Sequence, residues 1–276
     1  MFAKSSEVTM LTLRKGRYAA RFAETSQDVT RAQTLRHLCF VSNRGLTTPS
    51  KPASSRPTPS KPAPSQPARD ADAFDDRCRH VLVEDIKSGT LVCSFRLLPF
   101  KDGAAIATSY SAQYYDLARL SAFDGPMVEM GRFCLHPAWP DPDILRVAWG
   151  AMTRFVDDAG AGMLFGCSSF DGADAAQHHD ALALLKDAHL APKRWLPRVK
   201  APSVFRFARR LALLRPDTKR AKIGMPPLLR SYLAMGGWVS DHAVLDADLN
   251  TLHVFTGLEI SAIPPARARL LRSLAT

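Results

Sequence analysis

The sequence predicts an α/β (α+β) fold in which helices flank a central mixed sheet. The candidate elements follow the order helix, hairpin, strand, helix, strand, helix and late strands, which is typical of a layered fold around one sheet. The length of 276 residues fits one large domain, and a hydrophobic content of 46% supports a real core. We expect a single domain over 1–276, interrupted by a segment at 46–70 and by a basic segment at 193–222.

The first elements have clear local signals. Residues 25–41 are predicted to be a helix that Thr25 or Ser26 caps, with apolar residues at helical spacing. The runs "HVLVEDI" and "TLVCSFRLLP" are predicted strands. Lys87, Ser88 and Gly89 separate them, which predicts a hairpin.

The later elements alternate between strand and helix. "PMVEMGRFCLH" is the next predicted strand, and "PDPDILRVAWGAMTRFVDDAG" is a helix with Asp141 as cap, Pro142 in the first turn and Gly160 at its end. The apolar run "AGMLFGCSSF" predicts a strand, and "DAAQHHDALALLKDAH" an amphipathic helix. "PPLLRSYLAMGG" predicts a short helix before the closing strands.

Composition sets further bounds. The segment 46–70 holds seven prolines and five serines, so we expect a disordered surface insert without a catalytic role. Five widely spaced cysteines argue against a disulfide framework and a zinc ribbon. No apolar run approaches the roughly 18 residues that span a bilayer, and the N-terminus lacks a signal peptide. We therefore expect a cytoplasmic protein.

Several catalytic motifs are excluded. "GCSSF" departs from the GxSxG nucleophile elbow at Phe170, and neither GxxxxGK[ST] nor GxGxxG occurs. His178 and His179 are adjacent, whereas a helical metal site needs histidines four residues apart. "HPAWPD" and "HVLVED" both match the HxxxxD pattern of glycerolipid acyltransferases, and this duplication shows that the pattern is unspecific. We expect no metal.

Charged residues stand in otherwise apolar runs, and buried charges need partners or a function. Glu129 and Arg132 in "VEMGRF" would face opposite sides of a regular strand. A bulge permitted by Gly131 would bring them to one face. Other residues in such settings are Arg36 and Phe40 in "LRHLCF", Asp72 and Asp75 in "DADAFDD", and Arg96 in "CSFRLLP". An ion-pair cluster that closes the sheet is the structural alternative.

The blocks "LRHLCF", "DADAFD", "FRLLP" and "VEMGRF" give the chain a family resemblance over about residues 18–260. In this order they resemble the acyl-homoserine-lactone synthases, and still more the ornithine N-acyltransferases, which make lyso-ornithine lipid. The later blocks "CLHPAWPD", "FGCSSFDG" and "LLRSYLAMGGWVSD" favour the ornithine branch. The lactone synthases carry a Trp after the first block, where this chain has "SNRGLTTPS".

The resemblance implies a GNAT-like fold and direct aminolysis. The α-amine of L-ornithine would attack the thioester of a 3-hydroxyacyl group carried on the phosphopantetheine of acyl carrier protein, with no other cofactor. We expect Glu129 as the base, directly or through a water, and Asp75 as the second choice. The implied substrate-binding residues are Arg36, Phe40, Asp72, Arg96, Arg132 and Ser168. Asp241 or Asp246 is expected to hold the δ-ammonium.

The basic segment 193–222 has eleven Lys/Arg and one acid, a net charge of +10 within a chain of +11. Acyl carrier protein or an anionic membrane surface is the expected partner, and a solvated surface is the alternative. The candidate docking residues are Arg206, Arg209, Arg210, Lys219 and Arg220. A glutamine or other amino acid acceptor and a lactone synthase stay open. A different class, a basic nucleic-acid- or membrane-binding protein, also stays open, but no nucleic acid partner is expected, because no binding motif accompanies the charge.

Overall fold

A nine-stranded mixed sheet forms the centre of the protein in the computed structural model, which describes residues 12–42 and 68–275. The strands are β1 Thr12–Lys15, β2 Tyr18–Phe22, β3 Arg79–Asp85, β4 Leu91–Phe100, β5 Tyr115–Asp116, β6 Met127–Leu135, β7 Met163–Asp171, β8 Arg198–Val199, β9 Val204–Phe205, β10 Trp238–Asp246 and β11 Thr251–Glu259. The sheet order is β1-β2-β3-β4-β6-β7-β11-β10-β9, and β5 pairs with β8 separately.

Helices flank this sheet. They are α1 Ser26–Phe40, α2 Pro142–Asp158, α3 His179–Ala188, α4 Phe207–Arg210, α5 Thr218–Gly224, α6 Pro227–Ala234 and α7 Pro265–Ala275. Short 3-10 helices lie at Asp75–Arg77, Gly103–Thr108, Ser111–Gln113, Ala118–Ala122, Ala175–His178 and Ile260–Ala262. The predicted mixed sheet with flanking helices is confirmed.

The pairing of β6 with β7 is parallel, whereas the other pairings of the sheet are antiparallel. It begins at Met127 with Met163 and ends at Met130 with Gly166. A Cβ at Gly166 would collide with the backbone carbonyl of Met130, so only glycine permits this close approach. The two strands part directly after this contact.

The helix α2 covers one face of the sheet beside this parting. Its N-cap Asp141 accepts a hydrogen bond from the Asp143 backbone at 2.9 Å and another from the Tyr18 hydroxyl at 2.7 Å. Its apolar face packs on Val128 and Met130 of β6, in a cluster that also contains Tyr232 of α6. Close packing by α2 therefore supports this face of the sheet at the point where β6 and β7 separate.

The opposite face is covered by the loops between β4 and β6. Ile106, Leu120 and Tyr115 from these loops are buried against Phe165 and Phe255 of the sheet. Apolar side chains on loop segments hold the loops in place. This packing fixes residues 103–122 over the strands that carry the charged side chains.

Most predicted elements are present, with some differences. Thr25 caps α1, and the β3–β4 hairpin, α2 and β7 match their predictions. The amphipathic helix begins as 3-10 and becomes α3. The β1–β2 hairpin and α7 were not predicted. The proline-rich segment 46–70 lies outside the described residues as far as position 67.

The basic segment folds into short pieces rather than one long helix. It contains β8, β9, α4 and the start of α5. The helices α4 and α5 both contact α3. Over the described ranges 12–42 and 68–275, no helix combines the length and the apolar character needed to cross a bilayer.

Candidate active site

A cleft opens where β6 and β7 part. Its cavity volume is about 260 Å³, and residues 130–133 of β6 and 167–169 of β7 line it. The parallel pairing has ended at this point, so the facing edges of the two strands leave backbone N–H and C=O groups for a ligand. Residues from other elements that border the cleft are Phe40, Tyr110, Leu145, Pro226, Asp246 and His253.

A bulge in β6 lies beside the cleft. Between the pairs Arg96–Gly131 and Ser94–Cys134, β6 has two residues where β4 has one. Arg132 takes a left-handed backbone conformation with φ of 51°, which costs a non-glycine residue about 1–2 kcal/mol. The expected bulge is present, but Arg132 rather than Gly131 supplies its left-handed residue.

The bulge brings Glu129 and Arg132 to one face of the sheet. The Glu129 carboxylate accepts a hydrogen bond from the Tyr110 backbone N–H at 2.8 Å. The Arg132 guanidinium donates to the Tyr110 hydroxyl at 3.1 Å. Both side chains therefore contact the same loop residue, as a bulge of one residue predicts.

Arg36 on α1 is the most deeply buried cation of the site, with 1% of its surface exposed. Its Nη1 and Nη2 donate to the two carboxylate oxygens of Asp75 at 2.7 and 2.8 Å. Its Nε donates to Asp70 at 3.0 Å, and its Nη2 also donates to the backbone carbonyl of Asp70. This geometry is a bidentate ion pair with a second acid beside it.

Two further arginines extend the network. Arg96 donates to both oxygens of Asp72 at 2.6 and 2.8 Å and to Asp75 at 2.7 Å. Arg132 lies 3.0 Å from Asp70 through Nε and 3.4 Å from Asp72 through Nη2. Three arginines thus face three aspartates within the described chain, and their formal charges balance. We call these six residues the Arg–Asp cluster.

The Arg–Asp cluster keeps the carboxylates of Asp72 and Asp75 ionised. Burial alone would raise the pKa of Asp75, but the hydrogen bonds and charge of Arg36 outweigh it and hold the pKa well below its usual range. Burial also opposes the lowering of the Asp72 pKa, which the hydrogen bonds and charge of Arg96 bring about. An acid with a lowered pKa is a weak proton acceptor. The geometry therefore argues against Asp75 as a base.

Glu129 is 3% exposed and does not border the cleft. Besides the Tyr110 N–H, it accepts hydrogen bonds from the Ser111 N–H at 2.7 Å and the Ser111 hydroxyl at 2.6 Å. Burial raises the pKa of Glu129, and the hydrogen bonds from Ser111 oppose this rise. Ser111 Oγ lies 3.4 Å from the thiol of Cys167, which does border the cleft. Glu129 thus reaches the cleft indirectly, through Tyr110 and through Ser111 with Cys167.

Tyr110 connects the cluster to the cleft. The guanidinium of Arg132 lies 5.2 Å from the centre of its ring, and that of Arg96 lies 5.6 Å away. The ring of Phe40 lies 6.0 Å from the Arg132 guanidinium. Such aromatic faces stabilise the buried cations. Phe40 and Tyr110 therefore form part of the wall between the charges and the cleft.

His253 on β11 borders the cleft with a free lone pair. The Tyr115 hydroxyl gives its hydrogen to the backbone carbonyl of His253 at 2.8 Å, and it also lies 3.2 Å from Nδ1. We assign the ring proton to Nδ1, which can donate to the Tyr115 oxygen because that hydroxyl hydrogen is already used, and Nε2 is then the acceptor. No hydrogen-bond partner of Nε2 occurs among the described residues. Burial lowers the pKa of His253 to about 4, so the ring is neutral at physiological pH.

Comparison with known proteins identifies the family. Residues 57–150 match the model of the acetyltransferase (GNAT) domain. An L-ornithine N(alpha)-acyltransferase of Rhodobacter capsulatus is 30% identical over 251 residues, which cover 89% of this chain and 91% of that protein. The chain belongs to the L-ornithine N(alpha)-acyltransferase family. It is an acyltransferase with a GNAT fold, and the expected family resemblance is confirmed.

A second member of the ornithine acyltransferase family shows a similar relationship. The Brucella abortus L-ornithine N(alpha)-acyltransferase is 28% identical over 270 residues, covering 95% of this chain and 91% of that protein. Among solved structures, FeeM, an N-acyl amino acid synthase from uncultured soil microbes, aligns over 92% of this chain and 99% of its own, with 9% identity and a TM-score of 0.49.

The ornithine acyltransferase cleft includes some predicted residues and leaves others outside. Arg132, Phe40 and Ser168 border it. The Ser168 hydroxyl accepts a hydrogen bond from Thr256 at 2.9 Å. Arg36, Arg96, Asp72 and Asp75 lie in the Arg–Asp cluster behind it. The basic residues predicted to dock a partner are exposed and away from the cleft, namely Arg206, Arg209, Arg210, Lys219 and Arg220.

The ornithine acyltransferase cleft also contains residues that the sequence analysis did not assign or left open. Asp246 borders the cleft, whereas Asp241 bonds to His242 at 2.7 Å and does not. Asp70 had a usable signal, since it precedes Asp72 and Asp75 in one acidic stretch. Tyr110 and His253 had none, because they are single polar residues in unremarkable runs. Among the described residues, no group of three or more His, Cys, Asp or Glu is arranged to hold a metal ion.

Proposed function

We propose that this protein transfers a 3-hydroxyacyl group from acyl carrier protein to the α-amine of L-ornithine, the first step of ornithine lipid synthesis, in the cytoplasm. The amine nitrogen attacks the thioester carbon, an amide C–N bond forms, and the C–S bond breaks. The phosphopantetheine sulfur leaves as the thiol after it takes a proton. The relationship to L-ornithine N(alpha)-acyltransferases over nine-tenths of the chain carries this proposal.

The acyl donor binds in the cleft where β6 and β7 separate. The phosphopantetheine arm is a chain with two amides, so it can pair with the open strand edges as a further strand would. The thioester then lies at the bulge around Arg132. Backbone N–H groups of β6 that have no strand partner there polarise its carbonyl and stabilise the oxyanion.

The acceptor lies on the other side of the thioester. Arg132 borders the cleft and pairs with the α-carboxylate of ornithine, while Asp246, on the same cleft, pairs with the δ-ammonium. Both residues also border a neighbouring cavity with Tyr110 and Tyr114. A carboxylate at this position selects a cationic side chain over the neutral amide of glutamine.

The amine must lose a proton to complete the reaction. His253 borders the cleft, and no hydrogen-bond partner of its Nε2 occurs among the described residues, whereas Glu129, the base expected from the sequence, reaches the cleft only indirectly, through Tyr110, Ser111 and Cys167. In our proposal His253 accepts the proton. Its lowered pKa makes it a weaker base than a free imidazole, but its neutral ring borders the cleft, whereas both oxygens of Asp75 are bonded by arginines behind it. Glu129 holds the Tyr110–Ser111 loop in place. Asp75 orders Arg36 and Arg96 and takes no part in proton transfer.

One assay tests the reaction. Purified full-length protein is incubated with a 3-hydroxyacyl carrier protein and, separately, with ornithine, glutamine, lysine and S-adenosylmethionine, and products are identified by mass spectrometry. We expect acyl-ornithine. Acyl-glutamine as the main product would change the acceptor, and an acyl-homoserine lactone would place the activity with the lactone synthases. No product with any acceptor would contradict acyl transfer.

A further inference from the structure

A strongly basic surface surrounds α4 and α5. Between positions 206 and 224 the chain has seven Lys or Arg residues and one acid, Asp217. All seven cations are exposed, and they are Arg206, Arg209, Arg210, Arg215, Lys219, Arg220 and Lys222. Among the ion pairs of the described chain, only Arg220 of this set has an acidic partner, at 3.7 Å. We call this region the 206–224 surface.

Two large aliphatic side chains of the 206–224 surface are exposed. Leu213 is 98% exposed and Ile223 is 74% exposed. Aliphatic side chains exposed to this degree bury almost no surface on folding and so do not stabilise the fold. A pair of them within a basic patch marks an interaction site. Charge and apolar exposure therefore coincide at one place.

The fold presents Leu213 in a fixed way. The neighbouring residues Phe207 and Leu211 are buried in one cluster with α3, and Ala221 is buried on α5, which also contacts α3. The Lys186 ammonium donates to the backbone carbonyls of Leu211, Ala212 and Leu214, at 2.8, 3.3 and 3.1 Å. The loop is tied to α3 on both sides of Leu213, so its exposure follows from the packing rather than from a loose chain end.

The 206–224 surface adjoins, along the chain, a segment that lines the cleft. The helix α5 ends at Gly224, and residues 226–229 line the cleft. Ile223 is thus three residues from the wall of the site. An acylated amino acid is an amphiphile. If it leaves the cleft near the 206–224 surface, it would contact the binding partner of that surface.

We propose that the 206–224 surface docks on an anionic phospholipid bilayer, with Leu213 and Ile223 inserted at the headgroup boundary and the surrounding cations facing lipid phosphates. A fluid bilayer can accept separate projecting side chains without a preformed complementary surface. A folded acidic partner would need a matching pocket for each side chain. Each Lys or Arg near an anionic surface adds to the attraction. Product release into the membrane rests on the proposed function, but the docking itself does not.

Vesicle sedimentation tests the proposal without any substrate. Full-length protein is mixed with vesicles of phosphatidylcholine alone or of phosphatidylcholine with phosphatidylglycerol. We expect binding to the anionic vesicles and none to the neutral ones. The double variant Leu213→Gln/Ile223→Gln and the double variant Arg209→Gln/Arg210→Gln should each bind about tenfold more weakly or worse.

A matched control is Ile86→Gln, which removes an aliphatic side chain that is 49% exposed outside this surface. It should bind as the unchanged protein does, and thermal unfolding checks that all variants fold. Absence of vesicle binding, equal binding to neutral vesicles, or full binding by the Leu213/Ile223 variant would overturn the proposal. A raised KM for acyl carrier protein in that variant, with unchanged vesicle binding, would assign the surface to the carrier protein instead.

Discussion

At the residue scale, the three arginines of the Arg–Asp cluster differ in how freely they can exchange partners. Arg36 holds both oxygens of Asp75 at 2.7 and 2.8 Å and is closed off from the cleft. Arg132 borders the cleft, and its contacts to Asp70 and Asp72 are longer, at 3.0 and 3.4 Å. Arg132 is therefore the arginine that we propose for the substrate carboxylate.

A pair of variants separates the two candidate bases. His253→Gln should lower kcat by about 10²- to 10⁴-fold, since it removes the lone pair that takes the proton. Glu129→Gln keeps an acceptor oxygen for Ser111 but sets its NH2 group against the Tyr110 N–H, so it should lose some stability and much less kcat than His253→Gln. Single-turnover kinetics with acyl-ornithine as product measures both. Loss of turnover in Glu129→Gln together with an active, folded His253→Gln would assign the base to Glu129.

Acceptor recognition can be tested at Asp246. Asp246→Asn should raise the KM for ornithine by about 10- to 100-fold, because the δ-ammonium loses its charged partner. The reaction with norvaline, which lacks the δ-amine, should change little. Asp241→Asn is the matched control, since Asp241 lies on the same strand but outside the cleft. An unchanged KM for ornithine in Asp246→Asn would place the δ-ammonium elsewhere.

At the element scale, the cleft depends on one close contact between strands. Gly166 allows β7 to touch the carbonyl of Met130 before the strands part, and the bulge at Arg132 then turns β6 away. A tight contact followed at once by a bulge gives a sharply defined opening. The position of the opening is therefore fixed by backbone geometry, and the side chains only line it.

Substitution at Gly166 tests this dependence. Gly166→Ala should lower the free energy of unfolding by about 1–3 kcal/mol, because the new Cβ meets backbone that cannot move aside. It should lower acyl transfer as well, since the strands must shift at the cleft. Gly224→Ala is the control, because no heavy atom lies within 4 Å of its added Cβ. Chemical denaturation measures both, and equal stability of the two variants would contradict the account.

The elements that the sequence predicts well are those with strong local signals. The helix α2 has its cap at Asp141, its early proline and its apolar stripe, and α1 has its cap at Thr25. The β1–β2 hairpin lacks such signals, because β1 carries three exposed residues among its four and has no apolar alternation. Its place is set by pairing with β3, which is distant in sequence. Local patterns do not contain such tertiary constraints.

For the candidate site too, the sequence predicts features with a local signal and misses those that depend on the tertiary structure. Charges inside apolar runs pointed to Arg96, Glu129 and Arg132, because buried charge is costly wherever it occurs. The roles of these charges did not follow, since only the fold shows that Glu129 faces a loop rather than the cleft. The assignment of His253 needs the Tyr115 contact, and the two residues are 138 positions apart.

At the scale of the whole molecule, the charge is unevenly distributed. The net charge is +11, and the segment 193–222 alone contributes +10. The Arg–Asp cluster, by contrast, contributes nothing to the net charge. Under the proposed function, the acidic carrier protein would meet a positive field at this segment, whereas the charges of the Arg–Asp cluster are balanced.

Salt dependence should show this separation. The kcat/KM for an acyl carrier protein donor should fall about tenfold or more between roughly 0.05 and 0.5 M salt, because long-range attraction is screened. The value for acyl-pantetheine, which lacks the acidic protein, should change little over the same range. Stopped assays with both donors supply the comparison. Equal salt responses would show that the basic surface does not steer the donor.

The equal number of positive and negative charges in the Arg–Asp cluster also limits which substitutions relatives can tolerate there. Exchange of any one of its six residues for a neutral one leaves a buried charge without its counterpart, whereas exchange of an arginine together with an aspartate does not. Arg36 with Asp75 and Arg96 with Asp72 are the natural couples, since each shares two hydrogen bonds. Relatives that catalyse the reaction should therefore keep both residues of a couple or replace both. A relative in which only one residue of a couple is replaced should be inactive.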